Sequence, residues 1–270
     1  MTAVAPWRCG LVLSASLGLC GAGLADAQSP VPAPSAAPAS PEFLDRYSFH
    51  LSADALSSED PRFSWQTHFG GDLDLVDYVA GRVNFLVDYE AVLGRQFRRF
   101  DPNQGTYTLE GSASVRARDV EIAGVFHHVS RHLADRPKRF AIAWNVIGVR
   151  ALHRFTAADS TIDLQGSAGR VVQRSFVDYR WTGDADVVMR RPVNAYIGVF
   201  AHGAARVVGV DPAIARRGMQ RGGRLEAGVR FSGRAGGVEL FAGFEQRTDA
   251  DPIDQAPQHW AFAGFRFVSQ

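Results

Sequence analysis

Cysteine is nearly absent: the 270 residues contain two, Cys9 and Cys20. Two thiols cannot build a disulfide framework or a four-ligand zinc site. Excess charge of one sign is missing too, with 29 basic against 28 acidic side chains. That balance excludes a nucleic-acid binder carried by a basic surface. No apolar run is long enough, at roughly 20 residues, to cross a bilayer as a helix. Beyond Phe43 no window keeps the i, i+3, i+4, i+7 apolar spacing of an amphipathic helix over three turns.

What remains begins with a leader. Arg8 precedes an apolar stretch from Leu11 to Leu24, and Ala25-Asp26-Ala27 offers small residues where a signal peptidase cuts. A signal peptide over residues 1–27 is therefore expected, and its removal takes both cysteines with it. Leu19 is not the small residue that lipoprotein processing wants before Cys20. Residues 28–42 are rich in Pro, Ala and Ser and read as an extended periplasmic tether. The functional domain is then 43–270.

In that domain the period is two. Leu225, Ala227, Val229 and Phe231 share one face while Arg224, Glu226, Arg230 and Ser232 share the other. The same split recurs in about twelve segments, near 45–54, 62–71, 81–92, 106–117, 119–130, 139–153, 161–173, 178–190, 193–207, 221–232, 236–246 and 258–268. A soluble sandwich would also alternate. These segments, however, match the ~9–11 residues a tilted strand needs to cross a bilayer, and exceed the ~5–6 usual in soluble sheets. The links alternate as well: Gly94 to Gly105, Arg131 to Lys138, Val208 to Gln220 and Arg247 to Pro257 are long, whereas Arg118-Asp119, Arg191-Pro192 and Gly233 to Ala235 are tight. Long loops at one end and short turns at the other predict an all-β, antiparallel up-and-down transmembrane β-barrel in a bacterial outer membrane. Asp88, Glu90, Asp163, Asp184, Asp186, Arg224, Glu226, Arg230, Glu239 and Glu245 fall on the lumenal faces, where they read as a salt-bridged filling.

One segment concentrates chemistry: Phe126-His127-His128-Val129-Ser130-Arg131-His132-Leu133-Ala134-Asp135. If Glu121 faces the lumen and no bulge intervenes, His127 points inward and His128 and Ser130 point outward with Phe126. An imidazole beside a hydroxyl is the smallest unit of a base-activated nucleophile. A third group must orient the imidazole, and Asp135 or Asn145 is available. The candidate catalytic set is His128, Ser130, His132 and Asp135. Other uses of the same residues are bracing a loop, docking a lipid headgroup, or metal binding by His128, His132 and Asp135. No cofactor is called for. Arg95, Arg98 and Arg99 in one long loop and Arg216 and Arg217 in another are candidates for phosphorylated glycolipid headgroups.

His128-x-Ser130-x-His132-Leu133-x-Asp135 resembles the His-x-Ser-Ser-His-Leu-Gly-Asp signature of a family of uncharacterised bacterial outer-membrane-type barrels, and Asp60-Pro61-Arg62-Phe63-Ser64 resembles a stretch of the same family. The resemblance covers much of residues 54–136. Arg131 stands where that family has Ser and Ala134 where it has Gly, which marks a divergent member. It implies a barrel without a settled activity. The His-x-Ser pair is also similar to lipid A deacylase and outer-membrane phospholipase barrels, which display such residues on the barrel exterior. That likeness implies His128 as base and Ser130 as nucleophile, acting on lipopolysaccharide or phospholipid. The rival function is a non-enzymatic barrel, either a narrow pore or a structural envelope protein. Expected partners are outer-membrane lipids and the barrel-assembly machinery, with no nucleic acid.

Overall fold

A computed structural model describes residues 36–134 and 140–269. The leader and Asp135 lie outside the described residues. After a two-residue strand β1 (Glu42–Phe43), twelve long strands follow: β2 (Tyr47–Leu56), β3 (Trp65–Asp77), β4 (Arg82–Gly94), β5 (Asp101–Ala117), β6 (Val120–Leu133), β7 (Ile142–Ala157), β8 (Ser160–Ser175), β9 (Tyr179–Pro192), β10 (Ile197–Val210), β11 (Gln220–Ser232), β12 (Gly236–Arg247) and β13 (Gln258–Ser269). Each pairs antiparallel with its neighbours in sequence, and β13 pairs back onto β2, so the twelve close into an up-and-down barrel. Closure leaves no free sheet edge. β1 adds only a short outer pairing, Glu42 to Asp77 and Phe43 to Val76, at the foot of β3.

The alternation that defines the strands also turns the usual burial pattern inside out. Along β4, Arg82, Asn84, Asp88 and Glu90 are buried, while Phe85 and Val87 are exposed. Phe69, Leu109, Phe126, Ile147, Leu225, Leu240 and Phe244 continue this exposed apolar coat around the wall. A surface like that is stable only against an apolar solvent. Two apolar clusters sit inside among the charges. Phe63, Phe200, Phe241, Trp260 and Phe262 belong to one. Val129, Trp144, Val146, Val171, Tyr179 and Val208 form the other.

Segments 57–64, 95–100, 134–141, 176–178, 211–219 and 248–257 join strands at one end, and 78–81, 118–119, 158–159, 193–196 and 233–235 join them at the other. The short end is built from tight reversals. Ala158 and Asp159 both take positive φ (46° and 61°), as the two-residue hairpin turn that matches strand twist requires. One turn departs from the sequence reading: β9 runs through Arg191 and Pro192, and the reversal falls at 193–196, where Asn194 Oδ1 accepts from the Tyr196 and Ile197 amides. An Asx-type turn had more local hydrogen bonding to offer than Arg-Pro.

Interior packing is tight enough that one glycine is obligatory. A Cβ on Gly243 would lie 2.0 Å from the Leu225 carbonyl oxygen and 2.5 Å from Phe262 Cζ. The Phe262 ring cannot give way easily, because the Arg224 guanidinium stacks 3.7 Å from its centroid. Gly243→Ala is expected to cost about 1–3 kcal/mol by overpacking. A lower urea midpoint for the compact, heat-modifiable form would show it, and an unchanged midpoint would contradict this packing.

Candidate functional site

β6 carries the site, and its two faces do different work. Neither the β5–β6 nor the β6–β7 pairing has a register shift, so strict alternation holds along the strand. Glu121, Ala123, Val129, Arg131 and Leu133 are buried inward, while Ile122, Phe126 and His132 are exposed outward. The adjacent histidines divide accordingly. His127 turns inward, its Nδ1 3.1 Å from Glu110 Oε2, and Arg150 donates to both oxygens of the same carboxylate at 2.6 and 2.5 Å. His128 turns outward.

On the outer wall His128 lies directly across from Asn145 of β7, with Nδ1 2.5 Å from Asn145 Oδ1. Asn145 in turn donates from Nδ2 to Gln173 Oε1 of β8 at 2.8 Å. With Asn145 Nδ2 toward Gln173, Oδ1 faces His128, and a neutral imidazole there carries its proton on Nδ1 and a lone pair on Nε2. An imidazole held in that tautomer is ready to act as a base.

Gln173 reaches the outer wall through an irregularity. The β7–β8 register jumps from Asn145↔Gln173 to Val146↔Val171, leaving Val172 unpaired. By plain alternation from buried Val171, Gln173 would face the lumen. The bulge reverses the parity of everything beyond it and brings Gln173 out beside Asn145. Sequence reading named Asn145 as a possible orienting group and missed Gln173, because a one-residue bulge leaves no mark on composition.

Ser130 shares the outer face with His128 two residues away, yet its Oγ contacts the imidazole on the other side, His132 Nε2, at 3.2 Å. The serine is thus flanked by His128 and His132, and the hydrogen bond drawn is to His132. Tyr107, directly across from Ser130 on β5, meets the His132 ring edge-on at 5.5 Å between centroids and packs on Tyr89 at 4.7 Å. Beneath the dyad, on the lumen side, Trp144 and Val146 pack against Val129. Among the described residues no group of three or more His, Cys, Asp or Glu is arranged to hold a metal ion.

The arginines expected at the long-loop end are placed unequally. Arg95 donates to the Ser58 and Glu59 carbonyls, and Arg98 lies 3.3 Å from Asp101 with its side chain 68% exposed. Arg99 and Arg216 are exposed. Phe97 and Phe100 bracket Arg98 and Arg99 and are 84% and 58% exposed. Arg217 is tied down: it donates to Asp178 at 2.6 and 2.7 Å and to Asp249 at 2.5 and 2.6 Å. Burial opposes the Arg217 charge, but the hydrogen bonds to both aspartates outweigh it and raise its pKa.

Those bonds close the barrel mouth. Thr248, Asp249, Ala250 and Asp251 are buried, held by Arg217, by Arg131 donating to the Asp249 carbonyl at 2.9 Å, and by Gln104 donating to the Ala250 carbonyl at 2.7 Å. Arg62 pairs with Asp60, Asp251 and Asp254 at the rim. Below, the lumen is crossed by His50 and His68 on Asp88, by Arg247 on Glu90 and Glu245, and by Arg224 and Arg266 on Glu226. A cavity of about 110 Å³ remains between Glu90, Glu110, His127, Arg131, Arg150 and Asp184. That volume has room for a few waters. Refolded protein in planar bilayers is therefore expected to show no steady conductance; discrete, lasting current steps would show that the mouth is open.

No protein-family model matches this chain, and no curated protein matches it. Solved structures do. Outer membrane phospholipase A from Escherichia coli is 11% identical with a TM-score of 0.51, over 83% of this chain and 90% of that one. An active-site mutant of that enzyme, an asparagine-to-alanine variant at pH 6.1, is 10% identical with a TM-score of 0.50, over 84% of this chain and 91% of that one. At such identity the likeness is one of fold: this chain has the closed, twelve-stranded architecture of outer-membrane β-barrels.

Proposed function

We propose that the protein is an exported outer-membrane hydrolase that cleaves acyl esters of lipids in the outer leaflet, with Ser130 as nucleophile and His128 as base. The observation that carries this reading is the chain Gln173–Asn145–His128 on the outer wall, which holds one imidazole in the accepting tautomer two residues from a serine hydroxyl. Attack requires Ser130 Oγ, which rests 3.2 Å from His132 Nε2, to turn toward His128 by rotation about the Cα–Cβ bond. The placement suits a substrate that arrives laterally: a lipid ester at headgroup depth meets Ser130 from the membrane side, with its acyl chains along the apolar wall around Phe126 and Ile147. Removal of the leader near Ala27, delivery by the barrel-assembly machinery and insertion with the long loops outward complete the placement. The likeness in fold to a phospholipase, one of whose active-site mutants replaces an asparagine, supports the same chemistry.

Arg98, Arg99 and Arg216 are exposed at the outer rim and would meet phosphate on lipopolysaccharide or phospholipid. Arg95 and Arg217 take a smaller part in this, since their guanidinium groups already bind protein oxygens. The deciding measurement is fatty-acid release from phosphatidylcholine micelles and from lipopolysaccharide by refolded protein, wild type beside Ser130→Ala. Release by the wild type alone is expected. Equal release by both, or none by either, removes the enzyme.

A further inference from the structure

A cation on the lipid-facing wall of a barrel costs stability that grows with its depth, so one kept there is a candidate for function. Arg170 of β8 is such a cation. It is exposed, and it pairs with Ile147 of β7 on one side and Trp181 of β9 on the other, both of which face outward and are exposed. Ala168 and Val172, two residues to either side of it on β8, are exposed as well. Elsewhere on the described strands outward arginines stand at strand ends, as Arg191 does on β9 and Arg221 on β11.

The depth of Arg170 matches that of the serine. β6 and β8 both rise from two-residue turns, 118–119 and 158–159, and Ser130 stands ten residues above Val120 as Arg170 stands ten above Ser160. Only β7 separates the two strands, so two interstrand steps, roughly 10 Å in all, lie between them. An arginine placed there can lay its methylene stem along the apolar wall and lift its guanidinium toward the headgroups, spanning much of that gap. Glycerophospholipids and acylated sugar phosphates carry acyl ester and phosphate on neighbouring carbons, a separation that fits what remains.

We propose that Arg170 is a specificity-determining residue of this site: its guanidinium holds the phosphate of the substrate lipid while Ser130 meets the neighbouring acyl ester, an assignment that rests on the hydrolase reading above. A guanidinium suits the task because it can donate two parallel hydrogen bonds to one phosphate. The site then prefers phosphate-bearing acyl esters, of glycerol or of a sugar, to neutral ones. Arg98, Arg99 and Arg216 stand in loops above the strands and attract anionic lipid to the barrel as a whole. Arg170 lies in the wall at the depth of the nucleophile and selects which ester reaches it.

The test compares kcat/KM for fatty-acid release on dioleoylphosphatidylglycerol and dioleoylglycerol, and on lipid A with and without its phosphates, all in the same detergent micelles. Wild type, Arg170→Gln and Arg170→Lys are measured, with folding checked by heat-modifiable migration. Arg170→Gln is expected to lose about 10- to 100-fold on a phosphorylated substrate, chiefly through KM, as the loss of one charge-assisted contact would cause, and less than about threefold on the neutral counterpart. Arg170→Lys should recover part of the loss, since it keeps the charge and gives up the planar fork. A loss confined to the glycerolipid pair, or to the lipid A pair, identifies which lipid supplies the phosphate. Equal losses on phosphorylated and neutral substrates, no loss on either, or a wild type that prefers the neutral ester would overturn the assignment and leave Ser130 and His128 standing. Turnover that survives Ser130→Ala, or no turnover in the wild type, would remove the hydrolase reading and this assignment with it.

Discussion

Ester hydrolysis by Ser130→Ala is expected to fall by at least about 10³-fold, and His128→Ala by nearly as much, because a nucleophile and its base act as one unit. The two losses should not add: the double variant should be about as slow as either single one. Asn145→Ala should lose less, about 10- to 100-fold, since the base survives but is no longer held in the accepting tautomer. Asn145→Asp separates orientation from charge. It keeps the acceptor for His128 and gives up the donor that Gln173 uses, so most activity should remain. Fatty-acid release at saturating lipid measures the series. A ranking with Asn145→Ala below His128→Ala, or multiplicative losses in the double variant, would mean that the three side chains do not form one device.

How much of this was legible in the sequence depends on what each feature is made of. All twelve long strands overlap their expected positions, with ends displaced by up to six residues at β3 and five at β5, because alternation against an apolar solvent constrains every second residue and a slip of one would bury the wrong face. His127 inward and His128 outward follow from the same rule, since β6 has no bulge. The rule fails where the chain departs from it by a single residue. Val172 is such a place, and Gln173 stayed hidden behind it. Pairings set by rotamers were also out of reach: parity put His128, Ser130 and His132 on one face but could not say that the Ser130 hydrogen bond goes to His132. Arg217 taught the same lesson. Its place in a long loop suggested a free cation, whereas Asp178 and Asp249, distant in sequence, meet it across the mouth.

The lumen carries the largest expected loss of stability, at Arg247. Its guanidinium, 1% exposed, donates to Glu245 at 2.8 Å, to Glu90 at 2.6 Å and to Gln66 at 2.6 Å, and lies 5.4 Å from the Trp260 ring centroid. Arg247→Met keeps much of the length and removes the charge. It strands two buried carboxylates, of which Glu245 retains Arg224 at 3.1 Å while Glu90 keeps His68 at 3.9 Å. Breaking a buried pair from one side costs about 3–5 kcal/mol. A barrel with other ion pairs above and below cannot relax that away, because its wall fixes where each side chain begins. The urea midpoint of the heat-modifiable form should fall accordingly. Adding Glu90→Gln to Arg247→Met should recover part of the loss, since the stranded charge and not the missing attraction is the larger cost. A double variant less stable than Arg247→Met alone would assign the stability to direct attraction within the network. An Arg247→Met protein as stable as the wild type would mean that water reaches Glu90 and Glu245, and that the lumen is wetter than its packing implies.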